Sequence, residues 1–212
     1  MKNATKHADD LKSLLKRLAK EHKPAPAVKQ EPLKAIVRGA MSYDVSDTKA
    51  EEAMKHIEKE FVDLNELRVA TDLEIAELLG VRYPDIEKRV ELITRTLNAI
   101  FEKEHTLNLD RLATISNRDA RQFLRDLVPD LMHPFVEAYV MLYSFDGHAI
   151  PADDEIVVYL REEEIFDDKM ALSDAQKFLE HHVKAEDCHD VFTALRKAAH
   201  SDSEGGRKKK SK

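Results

Sequence analysis

Three features of the sequence predict an all-α fold. Apolar residues recur at three- and four-residue spacings, only 5 glycines and 7 prolines interrupt 212 residues, and charged residues reach 35% beside 42% hydrophobic ones. So little Gly and Pro leaves few places for the tight turns of a strand-rich architecture, while abundant Leu, Glu, Lys and Ala favours long helices. The length is enough for one domain or a two-lobed one with a substantial core.

The elements follow in order. Leu11, Leu14, Leu15 and Leu18 mark an amphipathic N-terminal helix that stops before Lys23-Pro-Ala-Pro-Ala27, an extended linker. A second helix starts after Pro32, with Leu33, Ile36, Val37 and Met41 on one face, and yields at Ser42-Tyr-Asp-Val-Ser-Asp47 to a third over about 48–60. Thr71 with Glu74 three residues later forms a capping box for a short helix that ends at Gly80. Pro84 opens the next, about 83–104, where Ile86, Val90, Ile93, Leu97 and Ile100 form a buried stripe. Further helices are predicted over 109–115, 118–127, 134–143, 153–161, 173–182 and 185–199. Residues 1–30 then read as a helix and linker, 31–200 as the main helical body, and 201–212 as a basic disordered tail.

The net charge of -7 is unevenly placed. The first thirty residues carry eight Lys/Arg against three acids and the last twelve carry five against two, so residues 31–200 hold a net charge of -15. An acidic body argues against an extensive nucleic-acid face and leaves room only for a local one. The single cysteine, Cys188, excludes an intrachain disulfide and any all-cysteine metal or iron–sulfur site, which points to a reducing, cytoplasmic setting. No apolar run approaches a membrane span, so no membrane partner is expected. His181, His182, Cys188 and His189 are the residue types that bind zinc, but their spacing suits a metal poorly, and none is expected.

The segment Ile150-Pro-Ala-Asp-Asp-Glu-Ile-Val-Val-Tyr-Leu160 places Asp153, Asp154 and Glu155 at the start of an apolar helix. Carboxylates there cap free amides and meet the positive end of the helix dipole. Two readings stay open: a structural N-cap, or a catalytic or ligand carboxylate beside a cleft.

Taken in order, the segments resemble the endonuclease III-like, helix–hairpin–helix (HhH-GPD) base-excision DNA glycosylases. Residues 31–47, Glu31-Pro-Leu-Lys-Ala-Ile-Val-Arg-Gly-Ala-Met-Ser-Tyr-Asp-Val-Ser-Asp47, are similar to the family's opening helix and its "LSQ-x-T-x-D" turn, with Lys49 to Phe61 in the place of the next family helix. Ser144-Phe-Asp-Gly-His-Ala-Ile-Pro-Ala-Asp-Asp-Glu-Ile156 is similar to "A-F-G … V-D-T-H-I", with Asp153 on the catalytic aspartate. Glu186-Asp-Cys-His189 resembles a late family helix. The similarity spans about residues 31–200 and lies in the order and spacing of the motifs. It implies a two-lobed helical fold, with an inner lobe over about 62–160 and a second lobe assembled from both ends.

The departures bear on function. The family hairpin reads "L-P-G-V-G-x-K-T-A", and the equivalent here is Pro129-Asp-Leu-Met-His-Pro-Phe-Val-Glu137, without either glycine. The Schiff-base lysine falls at Phe135, and no lysine occurs between Lys103 and Lys169, so lyase chemistry through that residue is not expected. Tyr43 stands where the family has a gap-filling glutamine, and the first cluster cysteine falls at about His200. The resemblance makes Asp153 the candidate catalytic residue and Tyr43, Met132, His133, Phe135 and His148 the candidate DNA contacts. No cofactor and no iron–sulfur cluster is expected. The implied partner is double-stranded DNA with a damaged or abasic site, bound by a monomer. Whether the chain is an enzyme stays open between a DNA-binding descendant with lost or reduced catalysis, an active monofunctional glycosylase, and a helical protein-interaction module.

Overall fold

A computed structural model describes residues 4–23 and 25–204, with side chains for 6–23 and 25–200. The described residues form eleven α-helices and two short 3-10 turns, with no strand: α1 Ala4–Glu21, α2 Pro32–Ser42, α3 Asp47–Glu60, α4 Leu64–Val69, α5 Asp72–Leu79, α6 Ile86–Glu104, α7 Asn117–Arg125, α8 Pro134–Ser144, α9 Asp154–Glu162, α10 Leu172–His182 and α11 Cys188–Glu204. The all-α expectation therefore holds. Two compact units divide the chain, Val28–Gly147 and a second built from both ends, up to Ala27 and from His148 onward. Residues 28–61 thus cluster with 62–147, whereas the sequence reading joined them to the C-terminal segment. The region 148–160, read as inner lobe, clusters with the chain ends.

In the Val28–Gly147 unit, α2 is the central element and packs on α3, α6 and α8. Its apolar face (Leu33, Ile36, Val37, Ala40, Met41) is fully buried because apolar residues sit on both sides of the stripe that a surface helix would use. Gly39 permits the close approach to α8, since a Cβ there would stand 3.4 Å from the Val136 backbone and the Tyr139 side chain. α6 supplies the predicted stripe, with Val90, Ile93, Leu97 and Ile100 fully buried, and packs on α4 and α5. The α5 capping box is formed as predicted: Thr71 Oγ1 accepts from the Glu74 amide at 3.2 Å, and Glu74 accepts from the Thr71 amide at 2.8 Å. Gly80 ends that helix at φ +86°, a left-handed value that costs glycine least.

Helix α4 has no counterpart in the predicted elements. It is six residues long with one buried side chain, Leu67, too short for periodicity to register; its one local signal is Asp63, which caps the Asn65 and Glu66 amides at 2.9 and 2.8 Å. The start of α6 also differs, at Ile86 rather than 83, because Asp85 takes a left-handed conformation at φ 47° and breaks the helix there.

In the second unit, α1 packs against α11 and buries Leu11, Leu14 and Leu18, α11 packs on α9, and α9 on α10. Ser201–Glu204, read as the start of a disordered tail, continue α11; the rest of that tail, from Gly205, lies outside the described residues.

Candidate functional site

Asp153 is the residue before α9, with extended backbone (φ −119°, ψ 176°), and its Oδ1 accepts from the Ile156 amide at 2.9 Å. The N-cap reading is therefore correct at the level of geometry, and the carboxylate does more. Its Oδ2 lies 3.4 Å from Arg196 Nη1 and 3.7 Å from His200 Nε2, two side chains one turn apart on α11. Asp153 has no solvent exposure and Arg196 and His200 have 4% and 9%, so the group is a buried ionic cluster. Burial alone would push the Asp153 carboxyl up, but His200, the Arg196 charge and the Ile156 amide outweigh it and hold it below the usual aspartate value. Asp154 is exposed and Glu155 half-buried, so of the three acids only Asp153 lies in the core.

A second cluster forms where α2 ends. Tyr43 stacks on His133 with ring centroids 4.3 Å apart and planes 7° from parallel, and the Arg89 guanidinium sits 3.7 Å from the Tyr43 centroid. Two groups at these separations have no room on one face, so the Tyr43 ring is sandwiched. Arg89 is fully buried and donates to Ala40 O (2.6 Å), Tyr43 O (2.8 Å) and Pro84 O (2.6 Å), while Tyr83 Oη donates to Met41 O (2.6 Å). The bonds to Ala40 O, Met41 O and Tyr43 O satisfy carbonyls that the end of α2 leaves without helical partners, and the cation meets the negative end of the helix dipole. Burial raises the Tyr43 phenol above its ordinary value, Arg89 pulls it down, and Asp85 and Asp44 add to the rise.

The turn between α7 and α8 is closed by its own backbone. The amides of Leu131 and Met132 both donate to Val128 O, at 2.9 and 2.7 Å, so these two donors are already engaged within the turn. The His133 ring caps α8 by accepting from the Phe135 amide at 3.2 Å. Phe135 is fully buried, 6.5 Å from the Tyr43 centroid and 5.9 Å from that of Tyr139. Beneath the turn the buried Glu137 pairs with Arg125 (2.5 Å) and Arg121 (3.4 Å), and at the exposed turn Asp130 lies 3.3 Å from Arg95.

The predicted residues thus separate into groups. Tyr43, His133 and Phe135 meet in one aromatic cluster, with Met132 half-buried in the same turn. Asp153 and His148 belong to the other unit, where His148 is exposed and its Nε2 lies 2.9 Å from Val183 O. Arg89, Arg196 and His200 were not singled out as partners of these residues. Their signal was a charged or imidazole side chain on an otherwise apolar helix face: Arg89 between Ile86 and Ile93, Arg196 and His200 following Phe192 at four-residue spacing. Among the described residues no three His, Cys, Asp or Glu side chains converge as a metal site. The His181 and His182 rings lie edge to face, and Cys188 is buried with its Sγ 3.4 Å from Lys184 O.

No family model and no curated protein matches the sequence. Solved structures do match the fold. An endonuclease III trapped as a covalent intermediate with DNA aligns over 90% of this chain and 84% of its own, with a TM-score of 0.69 at 12% identity. An 8-oxoguanine glycosylase/lyase from Clostridium acetobutylicum, in complex with double-stranded DNA, aligns over 94% of this chain and 70% of its own, at TM-score 0.71 and 16% identity. A 3-methyladenine DNA glycosylase from H. pylori bound to 1,N6-ethenoadenine covers 95% and 97%, with TM-score 0.64 and 12% identity. With the helix order, the turn between α7 and α8 and the Asp153 N-cap, these alignments establish that the chain has the all-helical fold of the endonuclease III-like HhH-GPD DNA glycosylases.

Proposed function

We propose that this protein is a divergent, DNA-binding relative of the base-excision glycosylases in which glycosylase chemistry is lost or reduced and Schiff-base lyase activity is absent. The observation that carries the reading is the state of Asp153. A carboxylate that stabilises positive charge on a sugar must meet that charge, and here both oxygens are engaged, one by the Ile156 amide and the other beside Arg196 and His200, with no exposure. Phe135 at the lysine position has no amine to form an imine. Support for DNA binding comes from the fold, since endonuclease III and the 8-oxoguanine glycosylase/lyase are both held on DNA in the structures it matches.

In this reading duplex DNA with an abasic or damaged site is contacted by the turn residues Met132 and His133, which Tyr43 and Phe135 back from within, and, on the other unit, by His148. The protein acts as a cytoplasmic monomer without a cofactor. Mobility shifts with abasic and undamaged duplexes test it: preference for the abasic site, weakening with salt, is expected, and no binding at low salt refutes the DNA role.

One observation favours an active monofunctional glycosylase. Asp153 keeps the helix-capping geometry and a charge held below the usual aspartate range, as a carboxylate that stabilises an oxocarbenium-like transition state requires. A screen against duplexes carrying uracil, alkylated purines, oxidised pyrimidines and 8-oxoguanine separates the readings. Excision abolished in Asp153→Asn establishes the second, and no excision of any base leaves the first.

A further inference from the structure

The segment from the end of α3 through α5 presents apolar side chains to solvent that no other part of the described residues covers. Seven large hydrophobic residues are exposed among those described, and four of them, Val62 (92%), Val69 (63%), Leu73 (67%) and Val81 (82%), fall within twenty residues of sequence. Scattered exposure of this kind is ordinary, but concentration on one short segment is a mark of an interaction surface. Two open cavities of about 630 and 540 Å³ share Phe61 and lie along the same segment. The smaller is floored by Phe61, Val69 and Leu78 and rimmed by Glu60, Glu74 and Glu77, and no Lys, Arg or His lines it.

The charge of this surface selects its occupant. Residues 58–81 contain seven acids and only two basic residues, Lys59 and Arg68. Arg68 is drawn away, donating to Asn65 Oδ1 at 3.0–3.1 Å and Asn98 Oδ1 at 2.8 Å with its guanidinium 4.3 Å from the Phe101 centroid. The apolar floor is therefore bordered by carboxylates that the segment's own cations leave largely uncompensated. Such a border repels nucleic-acid phosphate and anionic lipid and attracts cations.

We propose that this face of α4 and α5 docks a basic amphipathic helix of a partner protein, whose leucine-type side chains fill the Phe61–Val69–Leu78 groove while its lysines or arginines meet Glu60 and Glu77. Helix-in-groove recognition matches apolar anchors at i, i+3, i+4 and i+7 to a groove of this kind, with flanking charge setting partner choice. The chain's own basic run, Arg207-Lys-Lys-Lys210, matches the charge alone, because Ser201–Lys212 contains no apolar side chain to enter the groove. None of the candidate DNA contacts lines either cavity, and the inference does not rest on the proposed DNA role.

The test uses the full chain and a fluorescent synthetic peptide of about sixteen residues with leucines on one helical face and lysines beside them. A control peptide has serine for each leucine, and a second is the octapeptide of residues 205–212. The amphipathic peptide is expected to bind and to weaken with salt. The Val69→Ser/Leu73→Ser double variant should lose about tenfold or more in affinity, and Glu60→Gln/Glu77→Gln should lose most of the salt dependence. All four positions are solvent-facing, so circular dichroism and thermal midpoint should stay near those of the parent. Parent affinity in both double variants, no binding of the amphipathic peptide, or equal binding of either control peptide overturns the proposal. Unchanged mobility shifts of the variants with DNA keep this outcome distinct from that of the DNA reading.

Discussion

At residue 89 a full positive charge sits in the interior, and it is stable there because three carbonyl oxygens and a tyrosine face surround it. Arg89→Met fills much of the same volume but leaves those carbonyls without donors, at about 1–3 kcal/mol each and not strictly additive. Urea unfolding should show a loss of at least about 3 kcal/mol with an unchanged slope. Asp153 makes the complementary case. Its native pKa lies below the unfolded value of about 3.9, so its stabilising contribution is fully present above that value and is lost as the pH falls through its lower native value. Asp153→Asn should therefore be less stable than the parent at pH 7, since the buried Arg196 loses the Asp153 charge, and the difference should shrink as the pH is lowered below about 4. Chemical denaturation in a pH series measures both effects, and a parallel pair of curves would contradict the assignment.

The turn between α7 and α8 is closed on itself. The amides of Leu131 and Met132 turn back to Val128 O, and His133 caps α8 and stacks on Tyr43. His133→Ala removes a cap and a ring stack together, each on the order of 1 kcal/mol. A combined loss of about 1–3 kcal/mol is expected, with Tyr43→Ala in the same background costing less than it does alone because the stack is already gone. A double-mutant cycle by thermal or urea unfolding reads that coupling. The absence of an amine at Phe135 has a chemical consequence at the same element: borohydride should trap no covalent adduct with an abasic duplex.

Across the whole molecule, the chain ends belong to one unit and the middle to another, so α1 is a structural part of the unit that holds Asp153. Leu11, Leu14 and Leu18 form an almost fully buried apolar face on α1, which packs on α11. Deleting residues 1–22 should expose the face of α11 on which α1 packs, and amide exchange should accelerate in α9–α11 well before it does in α2 and α8. Uniform acceleration throughout would mean that the two units unfold as one. The acidic body leaves room for few phosphate contacts, so any DNA affinity should weaken with salt along a shallow slope.

The sequence by itself determined the all-helical class, the order of the long helices, the α5 capping box and the helix-starting position of Asp153, because periodicity, caps and breakers act over a few neighbouring residues. It also excluded an all-cysteine cluster and a Schiff-base lysine at position 135, since the required atoms are not in the chain. Only the tertiary structure decided that Asp153 is closed in by Arg196 and His200, forty-three residues or more away, that Tyr43 lies between Arg89 and His133, and that Phe135 is interior. Those outcomes depend on which helix faces meet, and a buried charge is tolerated only where a distant partner satisfies it. Local pattern holds no record of that partner beyond a polar residue on an apolar stripe. The unit boundary differs for the same reason: residues 28–61 cluster with the middle of the chain because α2 packs on α6 and α8, helices distant from it in sequence.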